Sequence, residues 1–109
     1  ITGGTGSFGQ KFIETVLNKF KPKRLIVFSR DEQKQFNLQQ KWKEGGSSPM
    51  RYFIGDVRDA NRLSLAMRDA DIVIHAAALK HVPAAEYNPF EAVKTNNFAK
   101  KHILNFRFD

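Results

Sequence analysis

The sequence predicts an α/β fold, a parallel β-sheet wound on both faces by helices, and three observations predict it. Short apolar runs with β-branched residues recur at 25–28, 52–54 and 72–78. Stretches with helical periodicity or helix-forming composition lie between them. A glycine-rich turn, TGGTGSFG, leads straight into the first helical stretch. Strand, helix, strand, helix, strand at this spacing implies βαβ units, whose strands pair in parallel. At 109 residues the chain is long enough for one domain with its own core and too short for two.

Each element has its own signal. Between Ser7 and Phe20 the apolar residues Phe8, Phe12, Ile13, Val16, Leu17 and Phe20 fall at steps of four, one, three, one and three, the stripe of an amphipathic helix. Lys21-Pro22 ends it, because proline lacks the backbone donor and disfavours helix at the residue before it. LIVF at 25–28 is too short for a helix and carries Ile26 and Val27, the mark of a buried strand. The polar stretch SRDEQKQFNLQQKWKE is rich in straight-chain helix formers, with Phe36 and Leu38 expected in the core. GGSSP at 45–49 is a loop. The strand signal returns at 52–54, and 59–69 is helical with Leu63, Ala66 and Met67 on one face. IVIHAAA at 72–78 is a third strand, ending in small residues.

Composition narrows the function classes. The hydrophobic share is 41%, and no apolar run approaches the roughly 18 residues of a membrane span, so no membrane segment is expected in this chain. Cysteine is absent, which excludes disulfides and thiolate chemistry and fits a reducing compartment. His75, His81 and His102 have no metal-ligand spacing with any acid, so no metal site is expected. The net charge of +7 invites a nucleic-acid partner. The basic residues are scattered, however, in KFKPKR, KQFNLQQKWK and AKKH, which favours a solvated surface plus a phosphate-bearing small molecule.

The glycines fit two overlapping patterns: Gly4, Gly6 and Gly9 make G-x-G-x-x-G, and Thr2-Gly3 with Gly6 and Gly9 make T-G-x-x-G-x-x-G. Spacing alone is a weak signal; the helix that begins inside the motif and the strand just after it strengthen it. Such a turn lets the backbone approach a pyrophosphate, whose charge rests on free N–H groups and the positive end of the helix. The competing reading is a flexible glycine-rich terminus. In a Rossmann unit the first strand precedes this turn and lies at the centre of the sheet, in the order 3-2-1-4. Only Ile1 and Thr2 of that strand are in the chain, which is therefore expected to lack most of its first strand as well as a C-terminal part, and to be unstable alone.

About 20 positions beyond the glycines, the tip of the next strand selects the cofactor: an acid takes the ribose 2′-hydroxyl of NAD, and Arg accommodates the 2′-phosphate of NADP. Here Ser29-Arg30-Asp31-Glu32 is followed by Gln33 and Lys34. Arg30, Lys34 and the Ser29 hydroxyl all suit a phosphate, which favours NADP. Asp31 and Glu32 argue for NAD, although both also suit the first turn of a helix. A surface ion pair between Arg30 and Asp31 or Glu32 would leave the choice open. Asp56 follows Gly55 at a strand tip, where doubly wound folds bind ligands, and it would equally serve as the N-cap of the helix after it.

TGGTGSFG, VFSRDEQKQ, YFIGDVRD and DIVIHAAALKHVPAAEYNPFEAVKTN together resemble the extended short-chain dehydrogenase/reductase superfamily, and within it the bacterial UDP-N-acetylglucosamine 4,6-dehydratases of the inverting kind. The glycine motif marks only the superfamily; SRDE, GDVRD and AAALKHVP are narrower. The resemblance runs over 1–96 and covers roughly the first third of such an enzyme, making 1–109 a partial NAD(P)-binding domain with a divergent tail, 97–109. It implies that Gly3, Thr5, Gly6, Ser7, Phe8 and Gly9 meet the pyrophosphate, and that Ser29, Arg30, Asp31, Glu32, Gln33 and Lys34 meet the adenosine ribose and its phosphate. Asp56 and Val57 would sit against adenine. Ala76 and Ala77, with Ala78, would allow close approach of the dinucleotide, although a plain buried strand end reads the same. Lys80 would reach both cofactor and nucleotide-sugar, against the alternative of a solvated loop lysine. Thr95 would lie on the cofactor side, and His81 beside the sugar, while His75 packs in its strand.

In the family a Tyr, with a Lys four positions later, carries the chemistry. Here position 56 follows Tyr52 as Asp and position 91 follows Tyr87 as Glu, so no catalytic residue is assigned and this stretch alone is expected to be inactive. The resemblance further implies UDP-N-acetylglucosamine as substrate, a cytoplasmic location and a homo-oligomer at full length. A nucleotide-sugar 4-epimerase, a non-catalytic NADP-binding module and a nucleic-acid-binding domain are the rival readings.

Overall fold

The computed structural model describes residues 1–43, 48–78 and 102–108. The element order is α1 (Ser7–Lys19), β1 (Leu25–Ser29), α2 (Glu32–Lys41), β2 (Met50–Ile54), α3 (Ala60–Ala66), β3 (Ile72–Ala78) and β4 (His102–Phe108). β1 and β2 pair in parallel from Leu25 opposite Met50 to Ser29 opposite Ile54. β3 and β4 pair in parallel from Ile72 opposite His102 to Ala78 opposite Phe108.

Thr2 joins the two pairs. It makes parallel bridges to Phe28 on one side and His75 on the other. Its N–H donates to the Ile74 carbonyl at 2.9 Å, its carbonyl accepts from Ala76 at 3.2 Å, and Gly3 N–H donates to Phe28 at 3.1 Å. Ile1 and Thr2 thus occupy the central place that the order 3-2-1-4 gives to a first strand. Because Thr2 sits between Phe28 and His75, the glycine turn that follows it emerges at the same carboxyl edge as Ser29 and Ala76.

Helices cover both faces. Strand side chains alternate, so Leu25 and Val27 of β1 enter a cluster with Ile13 of α1, Leu38 of α2 and Met50. Phe28 enters the other cluster, with Leu63 and Ala66 of α3, Met67 and Val73. Ile13, Val27 and Leu63 are fully buried; each contributes about 1.5–3 kcal/mol by leaving water.

Three particulars differ from the sequence reading. Phe36 is 54% exposed, while Gln35, a polar residue, is buried at 3%. Residues 35 and 38 lie one helical turn apart and face inward together, so Phe36 is rotated away from the sheet. The third helix ends at Ala66, with Met67 as its C-cap, although Leu63, Ala66 and Met67 share the buried face as expected. β4 occupies the tail beyond 96. Its signal was a period of two, Leu104, Phe106 and Phe108 alternating with Asn105 and Arg107.

Candidate functional site

The glycine turn is held by contacts that exclude side chains. Gly3 has φ 70°, a left-handed conformation, and a Cβ there would lie 2.2 Å from the Ala76 carbonyl oxygen. A Cβ on Gly9 would lie 2.4 Å from the Gly4 backbone, so α1 packs directly on the turn. Gly6 is different: a Cβ there would meet only the Gly3 oxygen, at an ordinary 3.7 Å. It is the N-cap of α1, and the helix has neither a side-chain cap nor an acidic residue in its first turn. The first N–H groups of a helix have no partner within it, and with the helix dipole they favour an anion. Gln10 steadies the turn by donating from Nε2 to the Thr5 carbonyl at 3.0 Å. Phe8 lies half-buried, its ring 6.1 Å from that of Phe12.

The tip of β1 is built from side-chain bonds. Asp31 caps α2, accepting from the Lys34 N–H at 2.9 Å, and Glu32 occupies the first turn. Both acids therefore serve the helix start. Arg30 pairs with Asp56 at 3.7 Å, across to the tip of β2, which corrects the ion pair with Asp31 or Glu32 considered from sequence. Gln33 donates to Asn37 at 3.1 Å along the exposed face of α2. The buried Gln35 donates from Nε2 to Ser29 Oγ at 2.9 Å and to the Phe53 carbonyl at 2.7 Å.

Asp56 is not the N-cap of α3. That role belongs to Asp59, which accepts from the Arg62 N–H at 3.1 Å. Asp56 instead accepts from the Arg58 backbone at 2.9 Å and from its guanidinium at 2.7–3.2 Å. The Arg58 hydrogen bonds, aided by the Arg30 charge, hold the Asp56 carboxyl down at about 2. Val57, beside it, packs against the α3 cluster.

A cleft of about 430 Å³ lies between the turn and α2, lined by Thr5, Gly6, Ser7, Gln10, Lys34, Asn37, Leu38 and Lys41. It brings Lys34, expected from the sequence beside the adenosine phosphate, together with the turn. Gln10, Asn37 and Lys41 were missed from sequence; residues 34, 37 and 41 form one helical face, and that spacing was the available signal. Arg30 and Asp56 are not among its walls. Ala76 and Ala77 lie in β3 at the same sheet edge, whereas Lys80, His81 and Thr95 fall outside the described residues. His75 Nδ1 is hydrogen-bonded to the Thr2 hydroxyl, which ties β3 to the central residue of the sheet. Among the described residues no group of His, Asp or Glu could hold a metal ion.

Comparison with known proteins fits this geometry. A family model described as "Polysaccharide biosynthesis protein" matches residues 1–108. The chain belongs to that family. It is 54% identical, over all 109 residues, to the UDP-N-acetylglucosamine 4,6-dehydratase (inverting) of Campylobacter jejuni, covering 32% of that protein. To the UDP-glucose 4-epimerase of Rickettsia bellii it is 41% identical over 111 aligned positions, covering 95% of this chain and 30% of the relative. The X-ray structure of Pen from Bacillus thuringiensis superposes with a TM-score of 0.66 and 47% identity, covering 89% of this chain and 29% of that one. The chain thus spans about a third of the length of the curated relatives it matches. Within the polysaccharide biosynthesis protein family it supplies a Rossmann-type parallel sheet with its glycine turn and strand tips.

Proposed function

We propose that the chain is the NADP-binding part of a nucleotide-sugar 4,6-dehydratase acting on UDP-N-acetylglucosamine, in surface polysaccharide or flagellin glycan biosynthesis. The carrying observation is the turn at Gly6, where the uncapped N-terminus of α1 faces a cleft and the missing side chain leaves room for a phosphate. These residues fit a dinucleotide, and a nicotinamide cofactor would supply hydride acceptance and return at the sugar. The chain's own residues bind and orient. Thr5, Gly6 and Ser7 line the cleft beside the pyrophosphate site, and Phe8 and Gly9 continue α1 behind it. Lys34 adds positive charge from the opposite wall. Ser29 and Arg30 meet the 2′-phosphate, with Asp31, Glu32 and Gln33 shaping that first turn of α2. Asp56 and Val57 flank adenine, with Asp56 kept ionised to accept from the exocyclic amine. Ala76 and Ala77 leave room at the end of β3, and Lys80 and Thr95 complete the cofactor side, with Lys80 also reaching the nucleotide-sugar.

The acid–base step belongs to residues beyond this chain, so the 109 residues alone give no turnover. The full-length protein works in the cytoplasm as a homo-oligomer. The 4-epimerase likeness favours one second reading, in which the sugar is inverted at C4 without loss of water. The test is calorimetric titration of the full-length protein with NADPH and NADH, followed by product analysis with UDP-N-acetylglucosamine. Tighter NADPH binding and a dehydrated 4-keto product support the proposal. Binding of neither cofactor defeats it, and a C4-epimerised sugar selects the second reading.

A further inference from the structure

We infer that Gln35 is a positioning residue that fixes the polarity of the Ser29 hydroxyl, making Ser29 a hydrogen-bond donor toward the 2′-phosphate of the dinucleotide. The inference rests on the NADP reading above. Gln35 is buried within α2 and reaches the tips of two strands: Nε2 lies 2.7 Å from the Phe53 carbonyl of β2, 2.9 Å from Ser29 Oγ, and 3.4 Å from the Ser29 carbonyl. Two of these three neighbours are backbone carbonyls, which only accept, so the amide nitrogen and not its oxygen must face them. An amide nitrogen has no lone pair to offer. Ser29 Oγ beside it therefore accepts, and the single Ser29 hydrogen cannot point back toward Gln35. Among the described residues that hydrogen has no acceptor. Ser29 is half-buried at the sheet's carboxyl edge, and Arg30 follows it with its side chain 71% exposed.

The consequence is a donor held in place before any ligand arrives. A phosphate accepts only, so it gains from a fixed O–H and an adjacent guanidinium, and its charge strengthens both bonds. A ribose hydroxyl presents its own hydrogen as readily as its oxygen and gains less. Gln35 also ties the tip of β1 to that of β2, so the hydroxyl is fixed in direction as well as in polarity. A polar side chain buried on a helix face that otherwise carries Leu38 is thereby explained by the strand tips it serves.

The experiment measures NADPH and NADH dissociation constants in the full-length protein and three variants, Gln35→Met, Ser29→Ala and the double variant, with thermal melting to show that each is folded. Gln35→Met is expected to lower the NADPH/NADH preference about fivefold, and Ser29→Ala roughly tenfold, the scale of a hydrogen bond to a charged group. In the Ser29→Ala background Gln35→Met should change that preference no further. Gln35→Glu, which offers an acceptor in the same shape, should lower the preference more than Gln35→Met and keeps the test open should the methionine variant not fold. Equal weakening of both cofactors, or the same loss of preference with Ser29 absent, would show that Gln35 only packs the strand tips and would overturn the inference. A wild-type protein that binds NADPH tightly with no such dependence defeats this inference alone; one that binds neither cofactor defeats the reading beneath it too.

Discussion

The glycine turn and the tip of β1 meet at one edge of the sheet, yet they are built by opposite means. The turn is made by the absence of side chains: Gly3 and Gly9 leave no room for a Cβ against Ala76 and Gly4. The tip is made by side-chain bonds among Gln35, Ser29, Asp31, Arg30 and Asp56. Steric exclusion is short-ranged and unforgiving, whereas each polar bond is worth about 1 kcal/mol and is open to solvent competition. The contrast predicts that the turn fails abruptly and the tip by degrees. Gly9→Ala is the strongest test. Its Cβ must displace the Gly4 backbone, and overpacking of this kind costs about 3 kcal/mol. Chemical denaturation should show that loss, and an unchanged midpoint would mean that α1 can slide off the turn.

Gly6 sharpens the comparison from within the turn. Its Cβ would meet nothing closer than 3.7 Å, and its φ of −77° is open to any residue. Gly6→Ala should therefore leave stability within about 0.5 kcal/mol. Dinucleotide affinity in the full-length protein should fall at least tenfold, about 1.4 kcal/mol, because the methyl occupies the approach to the pyrophosphate. Stability lost with affinity retained would place the role of Gly6 in the fold and not in the ligand.

The same contrast explains how much was legible in the sequence. The turn, the helix behind it and the three strands were readable because local sterics and periodicity write them into consecutive residues. The central place of Ile1 and Thr2 followed from topology. The tip was only half readable. SRDE lies at the strand tip, but which partner Arg30 would choose depended on Asp56, 26 positions later and one strand over. Hydrophobicity alone favours Phe36 for the core, whereas the helix phase set by Leu38 turns its polar neighbour Gln35 inward. β4 was not readable because the tail 97–109 departs from the resembled pattern and its alternation spans only a few residues.

At the tip, Asp31 should show the graded response. Its carboxylate satisfies the Lys34 N–H at the start of α2, and removing such a cap costs about 1 kcal/mol. Asp31→Ala should lower the unfolding midpoint by that amount, and Asp31→Asn, which still accepts, by much less. Because the cap also fixes the first turn of α2, in which Lys34 lies, the alanine variant should weaken NADPH more than NADH. Equal weakening of both would separate the cap from the phosphate.

The smallest expected effect is the pH dependence of Asp56. Its folded pKa of about 2 lies below the ordinary carboxylate value, so its stabilising contribution is complete above pH 4 and is lost as pH falls through 2. The Asp56 side chain is 29% exposed and that of Arg58 68%, so solvent screens the pair and its worth is that of a surface ion pair, about 0.5 kcal/mol. Asp56→Asn should cost that much at pH 7 and nothing near pH 2, with the difference appearing between pH 4 and 2. No difference at pH 7 would mean that the carboxylate charge is not what holds the two strand tips together, and that the Asx turn to the Arg58 N–H, which asparagine keeps, carries the geometry instead.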